Sequence, residues 1–219
     1  MDGACDHGVV GSANSPSVSE ELGVTATPMP QVRLAKRTVL DEATRPRAPR
    51  PAGAQYTPGQ RSAAQHLVNI HDHLRAELEE IRALVERVVT DVLSPAAARS
   101  HLNVMTMRQH NWSLGAYCQS YCRVVTGHHA LEDMAMLPHL RRTEPELVPV
   151  VDRLEAEHVV IHEVLEELDR ALVRFVDDPG RGQELQESVD LLTDTLLSHL
   201  SYEEHQLVEA LARHGYGFG

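Results

Sequence analysis

The sequence predicts an all-α protein, an antiparallel up-down four-helix bundle preceded by a disordered N-terminal tail. Three observations carry that expectation. Aromatic residues make up only 4% of the 219-residue chain while Leu, Val, Ala and Glu recur, which favours helices over a sheet built from aromatic and β-branched pairs. Apolar residues return at alternating spacings of three and four through four long stretches, as they do when one face of a helix is buried. Capping and breaking residues fall between the stretches, and the later connections are short enough to turn each helix back along its predecessor.

Residues 1–56 make the tail. They are rich in Ser, Gly, Pro and Ala, lack a sustained apolar period and cannot bury a core of their own. Within them QVRLAKRTVLDEATRPRAPR holds six basic residues against two acidic; it reads as a solvated tail, or as a contact for an acidic protein partner. The helical domain spans residues 57–214. Thr57-Pro58-Gly59-Gln60 supplies a capping hydroxyl, a proline at the first helical position and a glutamine at the third, so the first helix starts there. Leu67, His71, Leu74, Leu78, Ile81, Val85, Val88 and Val92 form its inward face. Ser94-Pro95 ends it and caps the second helix, which runs to about Met136, before Pro138, with Asn111 and Gly115 as points of interruption. A third helix begins between Thr143 and Pro149 and continues to about Val176, its stripe being Val151, Leu154, His158, Ile161, Leu165, Leu168 and Leu172. After Asp177-Asp178-Pro179-Gly180, the fourth runs from about Gln183 to Ala212 with Leu192, Leu196, His199, Glu203 and Leu207 inward. Gly215 closes it, leaving a short C-terminal tail over 215–219.

Composition removes several function classes. The chain has 32 acidic against 20 basic side chains, a net charge of −12 carried by residues 57–219. Nucleic-acid binding, which draws its affinity from Lys and Arg neutralising phosphates, is not expected. No stretch has the length and apolarity of a membrane span, and MDGACDHGVV is not a basic-then-apolar leader, so a cytoplasmic protein is expected. Three cysteines, Cys5, Cys118 and Cys122, are too few for a disulfide framework.

Histidine is the abnormal count, at 14, of which 13 lie between His66 and His214. Every helix sets histidine, alone or with a carboxylate, in its apolar stripe: His71, then His128 with Glu132, His158 with His162, and His199 with Glu203. Each pair is spaced i, i+4, about 40° apart and one turn up, so both members reach one point on the bundle axis. Uncompensated, such groups cost a few kcal/mol each. Five imidazoles and two carboxylates exceed one tetrahedral ion; two six-coordinate ions sharing the carboxylates use all seven. Imidazole with bridging carboxylate makes iron the first choice.

A lone histidine followed by His-x3-Glu, His-x3-His and His-x3-Glu resembles the hemerythrin-like, or HHE cation-binding, family over roughly residues 60–214. IHDHLRAEL, GHHALEDMAMLPHLRR, EHVVIHEVLEELDRAL and LLSHLSYEEHQLVEAL look like its four helices. The resemblance implies two non-haem iron ions bridged by Glu132, Glu203 and an oxo or hydroxo group, with an open position for O2, peroxide (H2O2) or nitric oxide (NO). Two departures stand out. His71 precedes His128 by 57 residues, wider than in the compact oxygen carriers, and the carriers' closing His-x4-Asp is replaced by Glu203 at i+4 from His199 and Glu204 at i+5. Glu203 is preferred because Glu204 lies about 140° from His199. His129, about 100° from His128, is an outer or substitute ligand; His73 and Tyr121 are further candidates beside the site. No side chain is placed as a general base, so no catalytic residue is assigned. The function expected is binding of O2 or reaction with peroxide or NO. The alternative is a non-enzymatic iron or oxygen storage or sensing module acting through metal-linked stability and the N-terminal tail.

Overall fold

A computed structural model describes residues 22–49, 54–93 and 101–216, without side chains over 91–113. Among these residues the chain is all-helical, with no strand. Helix α1 (Pro58–Leu93) starts at the expected cap: the Gln60 N–H donates to Thr57 Oγ1 at 3.3 Å and the Thr57 N–H to Gln60 Oε1 at 2.9 Å. The expected stop and cap at Ser94-Pro95 lies outside the described residues, and α2 (His101–Leu131) follows.

Neither Asn111 nor Gly115 interrupts α2, and Pro138 does not end it. The expectation of a helix end at Met136 is corrected by a π-helical turn over Glu132–Met136, in which the Leu137 N–H reaches back five residues to the Glu132 carbonyl. Proline has no N–H to offer the carbonyl four residues back and its ring crowds that oxygen. Widening the preceding turn relieves both constraints, and α3 (Leu137–Thr143) continues with Pro138 in its first turn. Such bulges cluster at functional sites; this one begins at Glu132.

Helix α4 (Val148–Asp177) and helix α5 (Gly182–His214) match the expected spans to within a few residues. Between them the Asp178 carboxylate accepts the Gly180 N–H at 3.0 Å. Gly215, at φ +68°, turns the chain out of α5, its N–H bonded to the Leu211 carbonyl at 2.8 Å. Adjacent helices run antiparallel. Glu204 meets His71 while Gly182 packs on Val89; Tyr121 reaches Leu74 while His128 meets His71; His199 meets Glu157 while Arg174 pairs with Glu184.

The buried apolar residues divide into two clusters. One joins Leu78, Tyr121, Leu165, Phe175 and Leu192; the other joins Leu67, Met136, Leu154 and Leu207. On α1 and α4 the changeover falls at His71 and His158, on α5 between Leu200 and Tyr202, and on α2 at His128 to Glu132. The polar layer therefore lies between two dry blocks.

Residues 22–49 correct the expectation of a disordered tail: they lie against α4 and α5 as a strap. Leu22 and Val24 are buried in the second apolar cluster. The buried Asp194 carboxylate accepts the N–H groups of both Leu34 and Ala35 at 2.8 Å. The chain then doubles back, the Tyr202 hydroxyl donating to the Pro46 carbonyl and the Ala48 N–H to Gln206 Oε1, each at 2.8 Å. The acidic partner for the basic stretch is the helical domain itself, since Lys36 pairs with Glu187, Arg37 with Glu167 and Arg45 with Glu157. No sustained apolar period was required, because the strap borrows an existing core and existing carboxylates.

Candidate metal centre

Two adjoining groups of side chains meet in the polar layer, with potential ligand atoms within 4.8 Å of one another: His71, His128, Glu132 and Glu203 in one, His129, His158 and His199 in the other. His71 Nε2 is 3.1 Å from His128 Nε2, and His128 Nε2 is 3.1 Å from Glu132 Oε1. Glu132 Oε2 stands 3.6 Å from His158 Nε2, and Glu203 Oε2 stands 3.6 Å from both His71 Nε2 and His199 Nε2. Both carboxylates thus lie between histidines of different helices.

Six of the seven predicted ligands come together. His162 does not: its side chain is 59% exposed and lies 3.6 Å from Glu166. His129, expected outside or as a substitute, is buried and stacks on His158 with centroids 4.1 Å apart. The α2 stripe of Leu114, Cys118, Tyr121, Val125 and Glu132 is centred about 50° from His128 and about 50° from His129, on opposite sides. The two histidines straddle it, and that symmetry was the legible signal for His129. Glu203 faces the cluster, whereas Glu204 accepts a hydrogen bond from His71 Nδ1 at 2.9 Å. His73 is 77% exposed beside Glu77.

Tyr121, the further candidate beside the site, is buried with its hydroxyl donating to the Leu74 carbonyl at 3.1 Å. Tyr121→Phe should lower stability by about 0.5–1.5 kcal/mol in a urea titration and leave bound metal per chain unchanged. Cys118 is buried in the core and half-buried Cys122 packs against it; burial pushes the Cys118 thiol up to about 12.

Of the groups that brace the histidines, sequence reasoning singled out Glu204, as the second choice of ligand after Glu203, and passed over Asp133 and Glu157. His158 Nδ1 meets Asp133 Oδ1 at 2.7 Å, His199 Nδ1 meets Glu157 Oε2 at 3.1 Å, and His71 Nδ1 meets Glu204. Each acceptor sits next in sequence to a residue of the cluster and reaches the histidine of a neighbouring helix. A carboxylate on Nδ1 holds that nitrogen protonated and leaves the Nε2 lone pair turned inward.

Apart from the bond between His71 Nε2 and His128 Nε2, the cluster lacks internal partners. Nε2 of His129, His158 and His199, and both carboxylate oxygens of Glu132 and Glu203, are buried without a hydrogen bond. Burial, with the neighbouring histidines, holds the His128 imidazole down to about 3 and those of His129 and His199 well below the ordinary value, so all three stay neutral. Burial, then the Glu203 charge, pushes Glu132 well above the usual carboxylate range; burial also raises Glu203. Glu204 resists its own burial because hydrogen bonds from His71 and the Thr27 N–H, with the Arg75 charge, hold it low. Neutral imidazoles with inward lone pairs around unbonded carboxylates suit a cation.

Residues 62–211 match the hemerythrin family, described as the hemerythrin HHE cation binding domain. The chain belongs to the hemerythrin HHE cation-binding domain family. No curated protein and no solved structure matches it. The hemerythrin match extends across α1, α2, α4 and α5, the helices that supply the cluster, and the orphaned donors are what a member of a cation-binding family requires. No described helix of this hemerythrin-family chain is long and apolar enough to cross a membrane.

Proposed function

We propose that this is a cytoplasmic hemerythrin-like protein, an antiparallel up-down four-helix bundle over about residues 57–214, which holds two iron ions and binds O2 or reacts with peroxide or nitric oxide. The observation that carries the reading is the convergence of candidate ligand atoms from α1, α2, α4 and α5 and the π turn in one layer, with Nε2 of His129, His158 and His199 and the carboxylates of Glu132 and Glu203 buried and unbonded. His129, His158 and His199 are assigned to one ion and His71 and His128 to the other, with Glu132 and Glu203 shared. Iron follows from the nitrogen-rich donor set with carboxylates between the two groups. When bound, the metals supply Lewis acidity and exchangeable electrons.

The chain's own residues set the approach. A cavity of ≈ 260 Å³ between α2 and α4 is lined by Thr126, His129, Asp133, His158, Val159 and His162. It gives a small molecule a path to His129 and His158, with His162 on the wall rather than in the cluster. Asp133, lining the same cavity, holds the proton of His158 Nδ1, which keeps the ring's other nitrogen available as a donor. The apolar blocks above and below exclude water and strengthen electrostatic interactions within the layer. A storage or sensing role is the second reading. It is favoured by the strap's contact with Glu157 and Glu204, which ties the cluster to a segment outside the helices.

The deciding experiment is metal per chain on protein from iron-supplemented cells, with optical spectra before and after peroxide and azide. About two irons per chain and near-ultraviolet charge-transfer bands that respond to azide are expected. Substoichiometric metal of mixed identity would refute the redox reading. Sustained peroxide consumption would favour turnover over storage or sensing.

A further inference from the structure

Among the described strap residues, Arg45 reaches the carboxylate that holds His199. Its guanidinium is 6% exposed and forks onto Glu157, itself 2% exposed, with Nε to Oε1 and Nη2 to Oε2 both at 2.8 Å. Nη1 donates to Ser198 Oγ at 2.9 Å, and the guanidinium carbon lies 4.6 Å from the centre of the Tyr202 ring. The Glu157 oxygen that takes Nη2 also takes His199 Nδ1. A buried ion pair is weak as a source of stability, since desolvation offsets most of its attraction. This one is strong as a fixture: two bonds from Arg45, itself held by Ser198 and Tyr202, fix one carboxylate in one orientation, and that carboxylate orients His199.

We propose that Arg45 is a positioning residue through which the N-terminal strap grips the metal centre, so that docking of the strap sets how tightly the ion nearest His199 is retained. The inference rests on the metal reading above and adds to it a control element outside the four helices. The direction follows from the chain of contacts. Without the fork Glu157 can swing, His199 loses its fixed tautomer and orientation, and the group of His129, His158 and His199 loosens. The group of His71 and His128 is braced by Glu204 instead and is spared.

The test uses the full chain and Co2+ as the probe, comparing wild type, Arg45→Ala, Arg45→Lys and Glu157→Gln, with Arg37→Ala as a control. Arg37 lies on the same strap but, among the described residues, pairs with the surface residue Glu167 alone. Three quantities are read: the visible spectrum of bound Co2+, its release rate to excess chelator, and thermal unfolding of the metal-free protein. Arg45→Ala should shift the spectrum and speed release of one of two Co2+ ions about tenfold. Arg45→Lys should fall between, because an ammonium keeps the charge but cannot span both carboxylate oxygens and Ser198. Glu157→Gln should shift the spectrum as Arg45→Ala does, and Arg37→Ala should match wild type. An Arg45→Ala protein that is less heat-stable yet has the wild-type spectrum and release rate would overturn the proposal, leaving Arg45 a structural residue. If Arg45→Ala does not fold, wild-type behaviour in Arg45→Lys and Glu157→Gln overturns it equally. Wild type that takes up no Co2+ would refute the metal centre and the coupling together, an outcome distinct from unchanged release in a metal-binding protein.

Discussion

His129→Ala is expected to hold about one metal ion per chain where wild type holds about two, while His162→Ala keeps the full complement. His129 follows His128 directly and His162 lies one turn after His158, but their surroundings differ. His129 is 6% exposed with an unbonded Nε2, whereas His162 points to solvent beside Glu166. His162 also lines the cavity, so its alanine variant should change the rate at which azide or peroxide reacts without changing metal content. Elemental analysis of the two variants beside wild type decides the ligand set. Loss of metal in His162→Ala with retention in His129→Ala would reverse the assignment and require α4 to rotate on its axis.

The second large effect is a change of sign. In metal-free protein Glu132→Gln should raise stability by about 1–3 kcal/mol, equivalent to several degrees in Tm, because it replaces an unbonded buried carboxyl facing Glu203 by a neutral amide of the same shape. With metal present the same substitution should lower stability below wild type, since an amide neither neutralises nor bridges cations and the stabilisation linked to metal binding is lost. Unfolding followed with chelator and with added metal, on both proteins, gives the four values required. A loss under both conditions would mean that Glu132 stabilises the fold by itself and would remove the strain argument for a cation. A cluster that is costly when empty is expected of a site shaped for a ligand rather than for stability.

Much of the helical body was legible because its cues are local. The Thr57–Gln60 capping box, the Asp178–Gly180 turn and the left-handed Gly215 involve residues within a few positions of one another, and each acts as local chemistry dictates. The inward stripes of α4 and α5 followed from helical periodicity, and every residue assigned to them except His162 is buried. The π turn was less accessible. Pro138 announces a disturbance, but whether a helix stops there or widens and continues depends on what the following turn packs against, and Leu137 and Leu140 are fully buried.

The chemistry of the site was written in the chain: His and Glu recurring on apolar stripes are polar groups that burial leaves in need of a partner. Which histidines enter the cluster depends on the rotation of each helix against its neighbours. On α4 the stripe is centred such that Glu157 and His162 lie about 70° to either side, and periodicity treats them alike. Packing does not: the Glu157 side faces α5 and is covered by the strap, while the His162 side faces an open cavity beside α2. The strap itself had no local code. Its order comes from contacts such as Arg45 with Glu157 and Thr27 with Glu204, which join residues more than a hundred positions apart, and pairings of that range exist only once the helices have brought their carboxylates to one surface.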